Sequence, residues 1–348
     1  MSHRRQNEPE SERKQAQRAE ESTQMGVNSA KTLAAFIIVS LVVVAWTPAQ
    51  AATVNVPANI AVLEHSANPQ QLIDACKALV PKISIENSEA AFAAVKQFIL
   101  SGHNTHARNA CARTLSTISI LSFGRDKNSR NYSPYVSRAN DVLLTMLENR
   151  NPAIRVGAAN AMWGALIADD GRALLRHANG DSDQAVVAAS LQNMHWGMVA
   201  DVAITHDAQA YDNAIARSLH SGDEDILIAA LSAYGGLHRL GAVPLLSRYA
   251  LDKRPAVRAG AIAAFGAMQM YNKQVLAFIE SRLADPNIDV RYAVMLQLMR
   301  FGDSNALPAI EKLARTAPTA KERASAAEYA KAIAQETAPQ KVPSPPPQ

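Results

Sequence analysis

The sequence predicts an all-α protein, a right-handed superhelical solenoid of stacked antiparallel helix pairs. Three observations predict it. Of 348 residues, 48% are apolar but only 5% are aromatic, and Ala is abundant. Such a composition favours closely packed helices, because Ala has the highest helix propensity and sheets draw on β-branched and aromatic residues. Next, the segments NPAIRVGAANAM (151–162), RPAVRAGAIAAF (254–265), DPNIDVRYAVML (285–296) and, more weakly, DEDILIAALSAY (223–234) resemble one another. Each has a Pro or acidic start, an aliphatic residue, often an Arg, and then small residues at helical spacing. Last, an amphipathic stretch precedes each motif, as in NDVLLTMLEN (140–149), AVPLLSRYAL (242–251) and KQVLAFIESRL (273–283). Neither helix of such a pair can bury its apolar face alone, so stacking is required to make the core continuous. Roughly seven or eight helix pairs fit the length.

Along the chain, residues 1–24 are hydrophilic and lack apolar periodicity, so they cannot form a core. Residues 33–46, LAAFIIVSLVVVAW, form an uncharged run of 14 after Lys31, followed by Pro48 and Ala49-Gln50-Ala51. A basic residue, a short apolar stretch and a small-x-small site are the parts of a secretory signal peptide. The run is short for a membrane span, which needs about 20 residues. Cleavage is expected after Ala51, with Ala49 and Ala51 as the small residues of the site. The alternative is an uncleaved anchor at 33–52. Met25 begins a more ordinary signal sequence than Met1, so translation is expected to start there. The segment 1–51 is therefore read as tail and signal, and 52–66 as a linker. The expected location is the periplasm or the exterior of a bacterial cell, or the inner membrane with the repeats outside the cytoplasm.

Residues 67–122 read as divergent helical repeats, 123–138 (FGRDKNSRNYSPYVSR) as a long loop, 139–336 as the clear repeats and 337–348 as a Pro-rich extended tail. Aligned on the aliphatic position, the clear repeats place Ile154, Ala185, Ile226, Val257, Val290 and Glu322 in register, at spacings of 31, 41, 31, 33 and 32.

Pro152 with Ile154-Arg155, Pro255 with Val257-Arg258, and Asp285-Pro286 with Val290-Arg291 make this sequence resemble the HEAT-repeat family, over 140–335. Asp252 and Asp285 each precede an Arg by six residues, which is similar to the family's Asp/Arg ladder between repeats; Asn149 replaces the Asp before Arg155. The resemblance implies that Arg155, Asp252, Arg258, Asp285 and Arg291 form a structural ladder. The competing reading of the Arg row, a positive stripe for an acidic partner, is less favoured, because buried charges need partners. The resemblance is specific for fold and says little about function.

The sequence contains no Gly-rich phosphate loop, GxSxG, HExxH or CxxC motif. His103, His106 and Cys111 have spacings compatible with metal ligation but lack an evident fourth ligand. Among HEAT-type enzymes, deoxyhypusine hydroxylases use His-Glu dyads, and this chain has no His-Glu dipeptide. A net charge of +4 does not argue for nucleic acid, and no cofactor is expected. Cys76 and Cys111 lie 35 apart, about one repeat. They are read either as a disulfide between neighbouring repeats, permitted by an oxidising compartment, or as two small buried hydrophobes.

In the segment 123–138, Arg125, Lys127, Arg130 and Arg138 accompany Tyr132 and Tyr135. Long loops are often functional, and Tyr and Arg are enriched in binding hot spots. They are candidate partner-binding residues; the alternative is a divergent connection with solvated charges. The expected function is an exported, non-catalytic scaffold that binds a protein partner through its surface, with no nucleic acid involved. A HEAT-scaffold enzyme or small-ligand binder, or a structural subunit of an envelope assembly, are the alternatives.

Overall fold

The structure, a computed structural model, describes residues 54–118, 134–162, 168–194, 198, 201–202, 206–268 and 271–337. The signal site at Ala49 and Ala51, the loop residues Arg125, Lys127, Arg130 and Tyr132, and the Pro-rich tail lie outside the described residues. All the helices belong to one compact unit.

Eight helix pairs follow one another among the described residues. They are α1 (Val56–His65) and α2 (Pro69–Glu86); α3 (Glu89–Ser101) and α4 (Thr105–Leu115); α5 (Pro134–Leu147) and α6 (Pro152–Ala161); α7 (Ala168–Gly180) and α8 (Gln184–Asn193). The last four are α9 (Ala208–Ser218) and α10 (Glu224–His238); α11 (Val243–Tyr249) and α12 (Pro255–Ala267); α13 (Lys273–Ser281) and α14 (Ile288–Arg300); α15 (Leu307–Thr316) and α16 (Ala320–Thr337). The second helices stack in an unbroken row, α2 on α4, α4 on α6, and so on to α16. The first helices touch one another more sparsely. The even-numbered helices are thus the more closely packed side of the stack.

Short polar caps start many of these helices. The side chains of Asn104, Asn151, Asp183, Asp223 and Asn287 each accept a hydrogen bond from a backbone N–H in the first turn, satisfying donors that have no intrahelical partner. The cap sets the register: the buried aliphatic residue lies three positions after it, at Ala107, Ile154, Ile226 and Val290. In the fourth repeat this position is Val186, fully buried, rather than the exposed Ala185 one residue earlier.

Two expectations about boundaries are corrected. The stretch 52–66 is not a linker: α1 occupies most of it, started by an Asn55 cap and Pro57, and packs on α2 and α3. Only Leu63 of α1 is buried, so the sequence shows little amphipathic pattern there. The segment 123–138 is not irregular to its end, because α5 begins at Pro134. Proline is favoured in a helix's first turn, where its missing N–H costs nothing.

The ladder joins neighbouring repeats. Each Arg grips the carbonyl oxygen six residues upstream and, bidentately, a carboxylate of the following repeat. Arg155 holds Asn149 O at 2.9 Å and Asp181 at 2.8 and 2.7 Å. Arg258 holds Asp252 O at 3.0 Å and both Asp285 oxygens at 2.9 Å. Arg291 holds Asp285 O at 2.6 Å and Glu322 at 2.5 and 2.9 Å. Asp252 thus serves Arg258 through its backbone, while its carboxylate is taken by Arg254. Burial alone would raise the carboxyl of Asp285. The Arg258 bond and the Asn287 N–H outweigh burial and hold it below the ordinary carboxylate range.

Within the clear repeats, two joints lack the rung, because Val187 and Leu227 stand at the Arg position. Apolar packing replaces it there. Val187 and Leu227 are buried, and α10 lies so close to α12 that a Cβ on Gly235 would come within 2.6 Å of the Ala264 carbonyl oxygen. The core is correspondingly two clusters, Leu63 to Ala233 and Leu227 to Ile333, which meet on α10.

Candidate functional site

The even-numbered helices form one continuous row along the array. Two residues beyond each buried aliphatic position stands a half-buried residue, Val156, Ala188, Ile228, Ala259 and Tyr292 in turn, and of these Val156, Ala188 and Tyr292 pack against the core. None is charged over five consecutive repeats. The outer helices differ, with Lys96, Arg217, Lys273 and Glu311 exposed.

Tyr135 and Arg138 lie in the first turns of α5 and are engaged within the array. Arg138 forms two 2.7 Å bonds to Glu89 of α3, and its guanidinium lies 4.3 Å above the centre of the Phe92 ring and 5.0 Å from that of Tyr135. The buried Tyr135 places its hydroxyl 3.1 Å from both the Asn87 carbonyl oxygen and Glu89. Asn87 itself takes a left-handed conformation, φ 53°, to end α2; Asn tolerates that region better than most residues. The Arg138 hydrogen bonds hold the Glu89 carboxyl down to about 2, against the opposing effect of burial. These two residues therefore fasten α5 to α3 and to the end of α2.

Cys76 of α2 and Cys111 of α4 form a disulfide with Cα atoms 5.5 Å apart, and neither is exposed. Stacked second helices one repeat apart bring their Cα atoms within bonding range. Cys111 is then not a thiolate that could join His103 and His106 on a metal. Closing a 35-residue separation contributes about 2–4 kcal/mol by constraining the unfolded chain. Alkylating the denatured, unreduced protein should label neither Cys, and reduction should expose both. Labelling of both before reduction would show the bond absent.

A shallow cleft opens beside the first rung, lined by Glu148, Arg176, His177, Asp181 and Ser182. His177 Nδ1 sits 2.8 Å from Asp181, and its Nε2 sits 3.7 Å from Glu148. Burial would raise the Asp181 carboxyl. The bonds from Arg155, the Asp183 N–H and His177 together drive it well below the carboxylate range. With both oxygens occupied, Asp181 is a fixed anchor of the joint.

One ionisable group escaped the sequence reading. Asp170, in the first turn of α7, is fully buried, and neither carboxyl oxygen has a hydrogen-bond partner. Its neighbour Arg172 binds Asp201 and Asp169 instead, and Asp201 also accepts the Tyr211 hydroxyl at 2.9 Å. Among the described residues, no group of three or more His, Cys, Asp or Glu is arranged to hold a metal.

Comparison with known proteins places these features in a class. Residues 252–331 match the family model of HEAT repeats. No curated protein matches the sequence. Among solved structures, the Escherichia coli protein YibA is 16% identical with a TM-score of 0.41, covering 76% of this chain and 87% of that one. Human deoxyhypusine hydroxylase in complex with glycerol is 17% identical with a TM-score of 0.31, covering 71% and 95%. An engineered protein is 15% identical with a TM-score of 0.24, covering 81% and 98%. None is similar enough to transfer an activity. The fold is an all-α, HEAT-like solenoid, with its HEAT repeats recognised at 252–331.

Proposed function

We propose that this protein is an exported, non-catalytic scaffold that binds a protein partner through its solenoid surface. The observation that carries the reading is the row of second helices, which offers one continuous face over eight repeats. Rigid, extended faces of this kind suit macromolecular partners better than small ligands, which favour enclosed pockets. The signal-like segment before Ala52 and the Cys76–Cys111 bond both suit an oxidising compartment outside the cytoplasm. The basic residues of 123–133 remain candidates for steering an acidic partner, whereas Arg138 is already paired with Glu89.

The test is crosslinked affinity capture of the tagged chain from envelope fractions. The recovered protein should begin at Ala52 and bring down a specific partner. Changing Arg125, Lys127 and Arg130 together to Ser should weaken capture while leaving the melting temperature nearly unchanged, which a thermal melt of the variant checks. Full capture by that variant would remove the loop from the site. Recovery of the chain with residues 10–24 attached, or with no partner, would defeat the reading.

A further inference from the structure

One rung of the ladder is open. Arg323 follows Glu322 as Arg291 follows Val290, and its Nη1 donates to Ala317 O at 2.7 Å and Pro318 O at 3.3 Å. Those carbonyls lie six and five residues upstream. Arg155 grips the same two positions at 2.9 and 3.2 Å, and Arg258 at 3.0 and 3.3 Å. In both, Nε and Nη2 then hold a carboxylate of the following repeat. Arg108, at this position of the second repeat, turns Nε and Nη2 to Ile99 O and Leu100 O instead. Nε and Nη2 of Arg323 have no partner among the described residues, where no further repeat follows.

Two neighbouring positions show that Arg323 lies at the end of the stack. Four residues past the Arg position, the side chain is fully buried at Ala159, Leu191, Leu231, Ile262 and Met295. At Ala327 it is exposed. Eight residues past it stand Gly235 and Gly266, where a Cβ would strike Ala264 O and the Gln297 side chain, each on the next second helix. The last repeat has Lys331 there, exposed. Arg323, Ala327 and Lys331 thus form a line on the side of α16 where a following helix would pack. Among the described side chains, the other exposed charges of this repeat are Lys312, Arg315 and Lys321 against Glu311 and Glu328. The buried Glu322 is held by Arg291.

A terminal repeat needs a polar outer face for solubility. Any hydrated charge meets that need, without a guanidinium fixed in the geometry of a rung. With Nη1 already immobilised, a carboxylate arriving at Nε and Nη2 meets a fork that has little freedom left to lose. The surplus of cations suits an acidic ligand, and the small Ala327 between two of them allows a helix to come close.

We propose that the C-terminal end of the array docks an acidic helix of another protein, stacked on α16 in the place of a following repeat. A carboxylate in that helix's leading turn closes the open rung on Nε and Nη2 of Arg323. A second carboxylate, about 12 Å further along at 1.5 Å per residue, meets Lys331. The inference goes beyond the scaffold reading, which concerns the row of second helices and not its end.

The probe is a fluorescent, Ala-rich synthetic peptide of about 18 residues, long enough to form a helix. It opens with Asp-Pro-Asn, the turn in which Asp285 closes the rung on Arg258, and carries Glu about eight residues later. Titrated with the full chain, it should bind saturably, and more weakly as salt rises. Arg323→Met should weaken binding by about tenfold or more. Arg323→Lys should not restore it, since an ammonium cannot present a planar fork. A peptide with Asn in place of its Asp should lose the same factor on the wild type and nothing further on Arg323→Met. Because Arg323→Met also frees two carbonyls, Ala327→Glu serves as a second variant. It leaves those bonds in place and sets a carboxylate one turn from the fork. It should lose about tenfold or more in affinity at an unchanged melting temperature.

The absence of saturable binding below about 1 mM overturns the proposal. So do equal affinities for the Asp and Asn peptides, or full binding by the folded Ala327→Glu variant. None of these results bears on the capture of an envelope partner, by which the scaffold reading stands or falls.

Discussion

Replacing Arg291 by Met lowers the stability of the array by about 3–5 kcal/mol. The Glu322 side chain is 0% exposed and that of Arg291 only 11%, so the substitution strands a carboxylate in the core of the last two repeats. It also frees the Asp285 carbonyl oxygen that Arg291 Nη1 holds at 2.6 Å. Removing one partner of a buried pair costs far more than the pair contributes, because the survivor keeps its desolvation penalty and loses its compensation. The double substitution Arg291→Met with Glu322→Leu should therefore recover most of the loss. Arg138→Met should cost about 1 kcal/mol or less, since that pair is exposed at 41% and 64%. Urea denaturation of the four proteins measures this. A loss below 1 kcal/mol for Arg291→Met would mean that water reaches Glu322 and that the rung is ornamental.

The same rung shows how much was legible in sequence. The spacing of Asp285 to Arg291 located the ladder, and the repeat motif located the helices on either side. The identity of the partner was not legible. The Arg uses its upstream residue's backbone and reaches forward about one repeat for a carboxylate, and at the last joint that carboxylate is Glu322, standing where other repeats have an aliphatic residue. Glu322 read as a weak match; it is the end of the ladder. The register slip at Ala185 has a similar origin. That repeat lacks both Pro and Arg, and only the Asp183 cap, with bonds from Ala185 and Val186 N–H, fixes its start. Tyr135 and Arg138 looked like loop residues because Glu89 and Phe92, their partners, lie more than forty positions away. The two cysteines were legible only as one of two readings, a disulfide or two small buried hydrophobes; their separation of nearly one repeat, the periodicity of the contacts themselves, is what allows the bond.

Asp170→Asn should stabilise the protein, and the gain should depend on pH. In sequence Asp170 is one of two acidic residues opening a helix, a position that the helix dipole favours by about 0.3–1 kcal/mol. In the structure Asp169 remains exposed and binds Arg172, while Asp170 is sealed in without a hydrogen bond. Burial, reinforced by the negative charges of Asp169 and Asp141, pushes its carboxyl up to about 7. At 1.36 kcal/mol per pH unit, a rise of about three units outweighs the dipole severalfold. The sign follows from proton linkage. The unfolded chain releases this proton near pH 3.9, whereas the folded chain keeps it until about 7. Between those values the unfolded state binds fewer protons, so the contribution of Asp170 falls as pH rises and levels off above 7. The Asn variant has no proton to lose. It should match the wild type near pH 4, gain steadily above it, and exceed it by up to about 4 kcal/mol at pH 8. Asp169→Asn, on the exposed neighbour, should show no comparable gain. Urea midpoints collected from pH 4.5 to 8.5 give the comparison directly. Parallel pH profiles for Asp170→Asn and the wild type would mean that the carboxylate finds water or a cation, and that the joint between the third and fourth repeats is not sealed.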